Sequence, residues 1–178
     1  MSNNCVLKGT LITLENNITK KIENLKVGER CLSYSIENIE NTQNKTILGI
    51  TKVDEFEGQF SYQLIKNIWK NEFKKYIKIN KKLGITEDHF VICKRHITDK
   101  YFWIKVEDLR IGDELFKSDG LFELINHIEI IYEDNVVYNI QVNSIYTYFA
   151  NGYLVHNGGT PCDGSYCGSY CGAAAKKK

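Results

Sequence analysis

The sequence predicts a mostly β, compact fold with pseudo-two-fold symmetry and short helical turns. Three observations lead there. A single Pro, 11 Tyr and 8 Phe, set among many Ile and Val, favour pleated and half-buried surfaces over helices. Apolar segments are short and alternate with polar ones, at the length of strands. One stretch also recurs: Ile22-Glu23-Asn24-Leu25-Lys26-Val27-Gly28-Glu29 returns as Val106-Glu107-Asp108-Leu109-Arg110-Ile111-Gly112-Asp113, at a constant offset of 84. A weaker pair, residues 60–64 with 136–140, lies at an offset of 76. Two copies are too few for a solenoid and fit two similar halves packed on one core.

Taken in order, residues 1–4 form a polar flank. Cys5 opens the first apolar segment, CVLKGTLITL, with Gly9 as a break and a turn at Asn16-Asn17. KKIENLKVGERCLSY reads as a short helical turn entering a strand over 30–34, and the Asn-rich segment 36–45 as a loop. Strands are expected over 46–56, 60–67 and 76–80, and LGITEDHFVICKR as a loop entering a strand. Asn151-Gly152 makes a turn before the last strand, which ends at His156-Asn157. Beyond Asn157 the composition changes to Gly, Ser and Cys and then AAAKKK, so the domain is expected to span 5–157, with 158–178 as a flexible flank.

A chain of 178 residues can bury a real core. Its formal net charge of +1, with basic residues scattered except at Lys176 to Lys178, gives no field for nucleic acid or membrane. The first residues lack the layout of a signal peptide, and no apolar run approaches a membrane span. Cys31 and Cys93 are expected as packing thiols, and Cys162, Cys167 and Cys171 have the wrong number and spacing for a zinc site. The widely spaced body cysteines leave the compartment open, with the cytoplasm as the expectation. Trp69 and Trp103 read as core anchors, and His96 and His127 as exposed or satisfied polar groups.

Three places carry chemistry-bearing residues. The Cys5 thiol can attack the Asn4 carbonyl through a five-membered ring; a lone Cys is more commonly a small core hydrophobe. Thr86 and His89 share a loop, where a His can give a proton to a leaving amide nitrogen and a hydroxyl can hold the peptide. A Thr cap beside a surface His is the bland alternative. An Asn side-chain amide can attack its own carbonyl, close a succinimide and break the chain, and Asn157 follows His156 at the fold's end. Good orientation gives such intramolecular attack effective molarities of about 10⁵ to 10⁸ M. A strand end with an Asn-Gly turn is the alternative there.

In order and spacing, Cys5 with its strand, KKIENLKVGERCLSY, TEDHFVI, WIKVEDLRIGDEL, VYNIQV and YFANGYLVHN resemble the Hint domains. This is the self-processing β fold shared by inteins, bacterial intein-like domains and hedgehog autoprocessing domains. The resemblance implies a minimal member without an endonuclease insert. Cys5 would attack Asn4 with Thr86 and His89 assisting, and Asn157 would cyclise with His156 assisting. No cofactor or metal is implied, because the reaction is acyl transfer within one chain, and the partners are the chain's own flanks in a monomer. Gly158 stands where splicing members carry Cys, Ser or Thr, which implies cleavage at the scissile flanks Asn4 and Gly158. Asn139 replaces an Asp common in the VYNIQV segment and Tyr146 replaces a His, which implies looser coupling and more reliance on His156. The alternatives are splicing of the flanks and a β-rich binding or structural module that keeps the fold without the reaction.

Overall fold

The computed structural model describes residues 4–37, 52–53 and 55–157. The flanks 1–3 and 158–178, with Gly158 and the tail cysteines, lie outside the described residues, as do most of the expected loop 36–45 and of the expected strand 46–56. The strands are β1 (Val6–Leu7), β2 (Leu11–Thr13), β3 (Thr19–Lys21), β4 (Arg30–Ile36), β5 (Lys52–Val53), β6 (Gly58–Phe73), β7 (Tyr76–Ile79) and β8 (Leu83–Ile85). They continue with β9 (Phe90–Lys94), β10 (Tyr101–Lys105), β11 (Glu114–Phe116), β12 (Phe122–Leu124), β13 (Ile128–Ile131), β14 (Asn135–Val142), β15 (Thr147–Ala150) and β16 (Tyr153–His156). Short 3₁₀ turns follow β3 at Ile22–Asn24 and β10 at Val106–Asp108, where the repeat predicts helical turns.

Among the described residues the strands form two antiparallel sheets. One runs β13-β7-β8-β1-β14-β6-β4, and the other runs β12-β11-β9-β16-β15-β2-β3, with β10 beside β9 and β5 beside β10. A pseudo-two-fold axis relates β1 to its neighbour β8 in one sheet and β15 to its neighbour β16 in the other. Backbone hydrogen bonds fix the equivalences. Ile22 N donates to Thr10 O and Val106 N to His89 O, so Thr10 corresponds to His89. Gly28 N donates to Ile65 O and Gly112 N to Ile125 O, so Ile65 corresponds to Ile125. The strongly repeated segment is thus a true structural repeat. The weaker one is not: residues 60–64 correspond to 120–124, while 136–140 belong to β14, which pairs directly with β6. Alternation of apolar residues alone made those two strands look related.

The repeat's glycines have φ of +93° at Gly28 and +95° at Gly112, a left-handed conformation that a side chain would strain. Asn151 (φ 47°) and Gly152 (φ 83°) close the β15–β16 hairpin as expected. β6 is longer than the expected strand and runs 16 residues to Phe73. Its polar residues do not interrupt it because much of it is exposed, with β14 along one edge.

Inward-facing residues of the two sheets fill the core. One cluster joins Val6, Ile12, Cys31, Val91, Cys93, Tyr148, Ala150, Tyr153 and Val155, and a second is built around Leu32, Ile92, Trp103, Phe116 and Phe149. Trp103 is the expected anchor, but Trp69 is only half-buried, because its position on β6 lies where that strand is open to solvent. His96 is exposed, and His127 is half-buried beside Glu129.

The β16 end of the core is pinned by Glu123, whose Oε1 accepts from Tyr153 OH (2.6 Å), Lys82 Nζ (2.7 Å) and Asn80 Nδ2 (3.2 Å). Burial alone would raise this carboxyl, but the donors outweigh it and hold its pKa down at about 2. A depressed carboxyl contributes stability above its unfolded value of 4.5 and loses it as pH falls towards about 2. Tyr153→Phe is expected to cost about 1–2 kcal/mol at neutral pH by removing one charge-assisted bond. That deficit should narrow below pH 3, as read by denaturant unfolding at both pH values.

Candidate functional site

Cys5 immediately precedes β1, in the middle of its sheet, with Asn4 buried before it. β1 pairs β8 through Val6 and Ile85, so the loop after β8 lies beside Cys5. Thr86, at the start of that loop, is fully buried. Its Oγ1 accepts from Cys5 N at 2.9 Å and donates to Cys5 O at 3.2 Å, and its backbone N also donates to Cys5 O, at 3.0 Å. Cys5 N is the nitrogen of the Asn4-Cys5 peptide, so the Thr86 hydroxyl holds the expected scissile bond directly.

On β1's other side, Val6 pairs with Tyr138 and Leu7 with Val137. The same register sets Cys5 opposite Asn139, with both side chains on one face. Asn139 is buried, and its Oδ1 has no hydrogen-bond partner among the described residues. β14 in turn pairs β6, and Asn71 of β6 reaches the thiol, with Nδ2 3.9 Å from Cys5 Sγ. Sequence reasoning missed Asn71. The expected strand 60–67 stops short of it, whereas β6 runs on to Phe73. Burial pushes the Cys5 thiol up to about 11, with the Asn71 contact opposing and Asp88 adding to the rise.

His89 is fully buried, three residues beyond Thr86 in the same loop, and its backbone N donates to Thr86 O at 3.2 Å. The expectation coupled His89 to the Cys5 end. Its ring reaches the other end of the domain, with Nε2 2.6 Å from His156 O. A carbonyl can only accept, so Nε2 carries a hydrogen, and Nδ1 is the nitrogen at which the neutral ring takes up a further proton.

β16 carries His156 and leads to Asn157, both buried. The His156 ring stands edge-on to Trp103 at 5.3 Å and lies 6.3 Å from the Tyr146 ring. Tyr146 has a left-handed backbone (φ 58°), which is costly for a bulky residue. Its carbonyl thereby accepts from Asn157 N at 2.7 Å. With the Asn157 amide in its satisfied orientation, Nδ2 also donates to Tyr146 O (2.9 Å) and Oδ1 accepts from Val142 N (2.8 Å). Tyr146 therefore acts on Asn157 through its main chain, which side-chain reasoning could not foresee. Gly158 lies outside the described residues.

Cys5 and Thr86 touch, Thr86 and His89 touch, His89 and His156 touch, and Tyr146 holds Asn157. One loop, with Thr86 and His89 buried, thus links the two ends of the domain. No cluster of three or more His, Cys, Asp or Glu poised for a metal occurs among the described residues, and no described helix is long and apolar enough to cross a membrane.

The sequence pattern of the pretoxin Hint domain family matches residues 12–161, a span that includes Thr86, His89, His156 and Asn157 and begins after Cys5. No curated protein matches the chain. Among solved structures, the bacterial intein-like domain from Clostridium thermocellum is similar at 21% identity with a TM-score of 0.65, covering 86% of this chain and 98% of that one. The TvoVMA intein is similar at 14% identity and a TM-score of 0.66, covering 87% and 98%. The gp41-1 intein is similar at 20% identity and a TM-score of 0.60, covering 88% and 100%. At these identities the solved structures establish the fold, which is that of intein and intein-like Hint domains.

Proposed function

Because the chain belongs to the pretoxin Hint domain family, we propose that it is a single-turnover self-processing domain, spanning 5–157, that cuts its own backbone before Cys5 and after Asn157. The observation that carries this reading is the loop that holds Cys5 N through Thr86 (2.9 Å) and His156 O through His89 (2.6 Å).

At the first site, Cys5 Sγ adds to the Asn4 carbonyl carbon. An S–C bond forms, the C–N bond to Cys5 breaks, and the thiol proton ends on the freed Cys5 amine. Thr86 keeps the scissile nitrogen fixed, and His89 Nδ1 is the ring position that can deliver a proton towards it. Water or an added thiol then takes the acyl group from sulfur.

At the second site, Asn157 Nδ2 attacks its own carbonyl carbon and closes the succinimide. The bond to Gly158 breaks, and the Gly158 amine takes the proton. Tyr146 O and Val142 N restrict the Asn157 side chain and so remove orientational entropy before the reaction. His89 supports the His156-Asn157 peptide, and the His156 ring, held by Trp103 and Tyr146, is the acid for the departing amine. Gly158 offers no side-chain nucleophile to receive an acyl group, which favours release over joining of the flanks. The family's description as a pretoxin domain fits cleavage that frees a downstream polypeptide.

The buried thiol gives the first site a pH signature. With Cys5 at about 11, each unit rise in pH increases the thiolate about tenfold. Loss of residues 1–4 in hydroxylamine, which stays in its neutral nucleophilic form across this range, is therefore expected to accelerate about tenfold per unit between pH 7 and pH 9, while release of the tail should not follow that slope. A flat profile for the first site would refute attack by the Cys5 thiolate.

A further inference from the structure

Asn71 lies near the end of β6, on an exposed stretch with Lys70 and Glu72. Asn is depleted in strands, where β-branched and aromatic side chains fit the pleated surface, so its place there calls for a reason beyond the fold. An exposed amide ordinarily faces water, yet Nδ2 of Asn71 lies 3.9 Å from the sulfur of Cys5, a residue only 1% exposed. Register brings the two together. Leu7 pairs with Val137 and Val137 with Asn71, and Cys5 shares a face with Leu7, so all four side chains lie on one side of the sheet. Asn71 reaches diagonally back over β14 to the thiol.

The pseudo-two-fold axis supplies a comparison within the same chain. Val6 and Ile85 pair across it, so Cys5 corresponds to Gly84. Val6 pairs with Tyr138 and Ile85 with Ile77, which makes Val137 the counterpart of Tyr76. Val137 pairs with Asn71 and Tyr76 with Ile131, so Asn71 corresponds to Ile131, at the same spacing that relates Ile65 to Ile125. Where one half carries a thiol and an amide, the other carries a glycine and an ordinary β-branched strand residue. The amide goes with the thiol, and not with the strand.

Resting on the self-processing reading, we propose that Asn71 is a further catalytic residue of the thioester-forming step, whose side-chain amide donates to the Cys5 sulfur as that atom gains charge and attacks Asn4. A neutral amide exchanges no proton in the step. The S–C bond forms, the C–N bond breaks and the thiol proton ends on the Cys5 amine as before, while Asn71 opposes the cost of a charge on a buried sulfur. Its bond to the resting thiol is weak, because sulfur is a poor acceptor, and it strengthens on the thiolate. The same bond assists when the acyl group is taken from sulfur, since the sulfur then departs as a thiolate. Burial raises the Cys5 thiol, Asn71 lowers it and Asp88 adds to the rise, so of these three Asn71 is the one that favours ionisation.

The test uses Asn71→Leu, which keeps the shape and removes the donor, and Asn71→Asp, which places a carboxylate at the sulfur. Both are made in the full chain labelled with ¹³C-cysteine. The Cys5 β-carbon resonance, assigned by its loss in Cys5→Ala, is followed through a pH titration. Ionisation of Cys5 should begin about one pH unit higher in Asn71→Leu and later still in Asn71→Asp. Dithiothreitol-induced loss of residues 1–4 at a fixed pH should slow about tenfold in Asn71→Leu and further in Asn71→Asp, while tail release without the thiol keeps its parent rate. The melting temperature of Asn71→Leu should be unchanged or higher, because the position is exposed and Leu suits a strand no worse than Asn. An unmoved Cys5 titration in both variants would overturn the proposal, and so would tail release that slows in step, the sign of a general loss of structure. Shifted titrations with no loss of residues 1–4 in the parent would sustain the contact and overturn the self-processing reading alone.

Discussion

Asn157→Ala is expected to abolish release of residues 158–178 while leaving thiol-induced loss of residues 1–4 in place. The substitution removes the side-chain amide nitrogen that would close the succinimide, so no slower version of the same path remains. The separation between the two ends follows from the contacts. Asn157 is held by Tyr146 and Val142, and Cys5 by Thr86, and no hydrogen bond joins the two directly among the described residues. Intact mass after a day near neutral pH, with and without dithiothreitol, reads both ends at once. Continued tail release in the variant would refute Asn157 as the nucleophile. The complementary change, Cys5→Ala, should abolish thioester formation and spare the tail.

His89→Ala should behave differently and slow both cleavages. Its ring supports His156 O at 2.6 Å, and its backbone and loop position Thr86 against Cys5. The loss should be about 10²-fold or more at the tail, where a positioned donor is removed from a buried carbonyl, and of similar size at Cys5, where the proton source is lost. His89→Gln keeps a donor without the acid, so it should recover part of the tail reaction and little of the thiol-dependent one. Time courses of both products in the two variants separate these roles. An effect of His89→Ala confined to one end would show that the loop does not couple them.

The fold was legible because its strongest signal is covalent order. The segments around Leu25-Lys26-Val27-Gly28 and Leu109-Arg110-Ile111-Gly112 need the same left-handed glycine and the same 3₁₀ turn, and that requirement is written locally. The weaker repeat failed because strand alternation repeats everywhere in a β protein, and β6 and β14 share it as partners rather than as symmetry mates. In the candidate site, side-chain types pointed to Cys5, Thr86, His89, His156 and Asn157, and contacts run from Cys5 through Thr86 and His89 to His156. Which end His89 faces, the carbonyl role of Tyr146 and the approach of Asn71 depend on register and backbone conformation, which residue types do not encode.

The central claim is that this chain breaks its own backbone at two places without help. Its most direct test is intact-mass spectrometry of freshly purified chain, incubated with and without dithiothreitol. The account predicts a tail fragment beginning at Gly158, a body ending in a succinimide or its hydrolysed Asn157, and thiol-dependent loss of residues 1–4. A product joining residues 1–4 to the tail would contradict release in favour of splicing. A chain that stays whole at both ends throughout would contradict self-processing altogether.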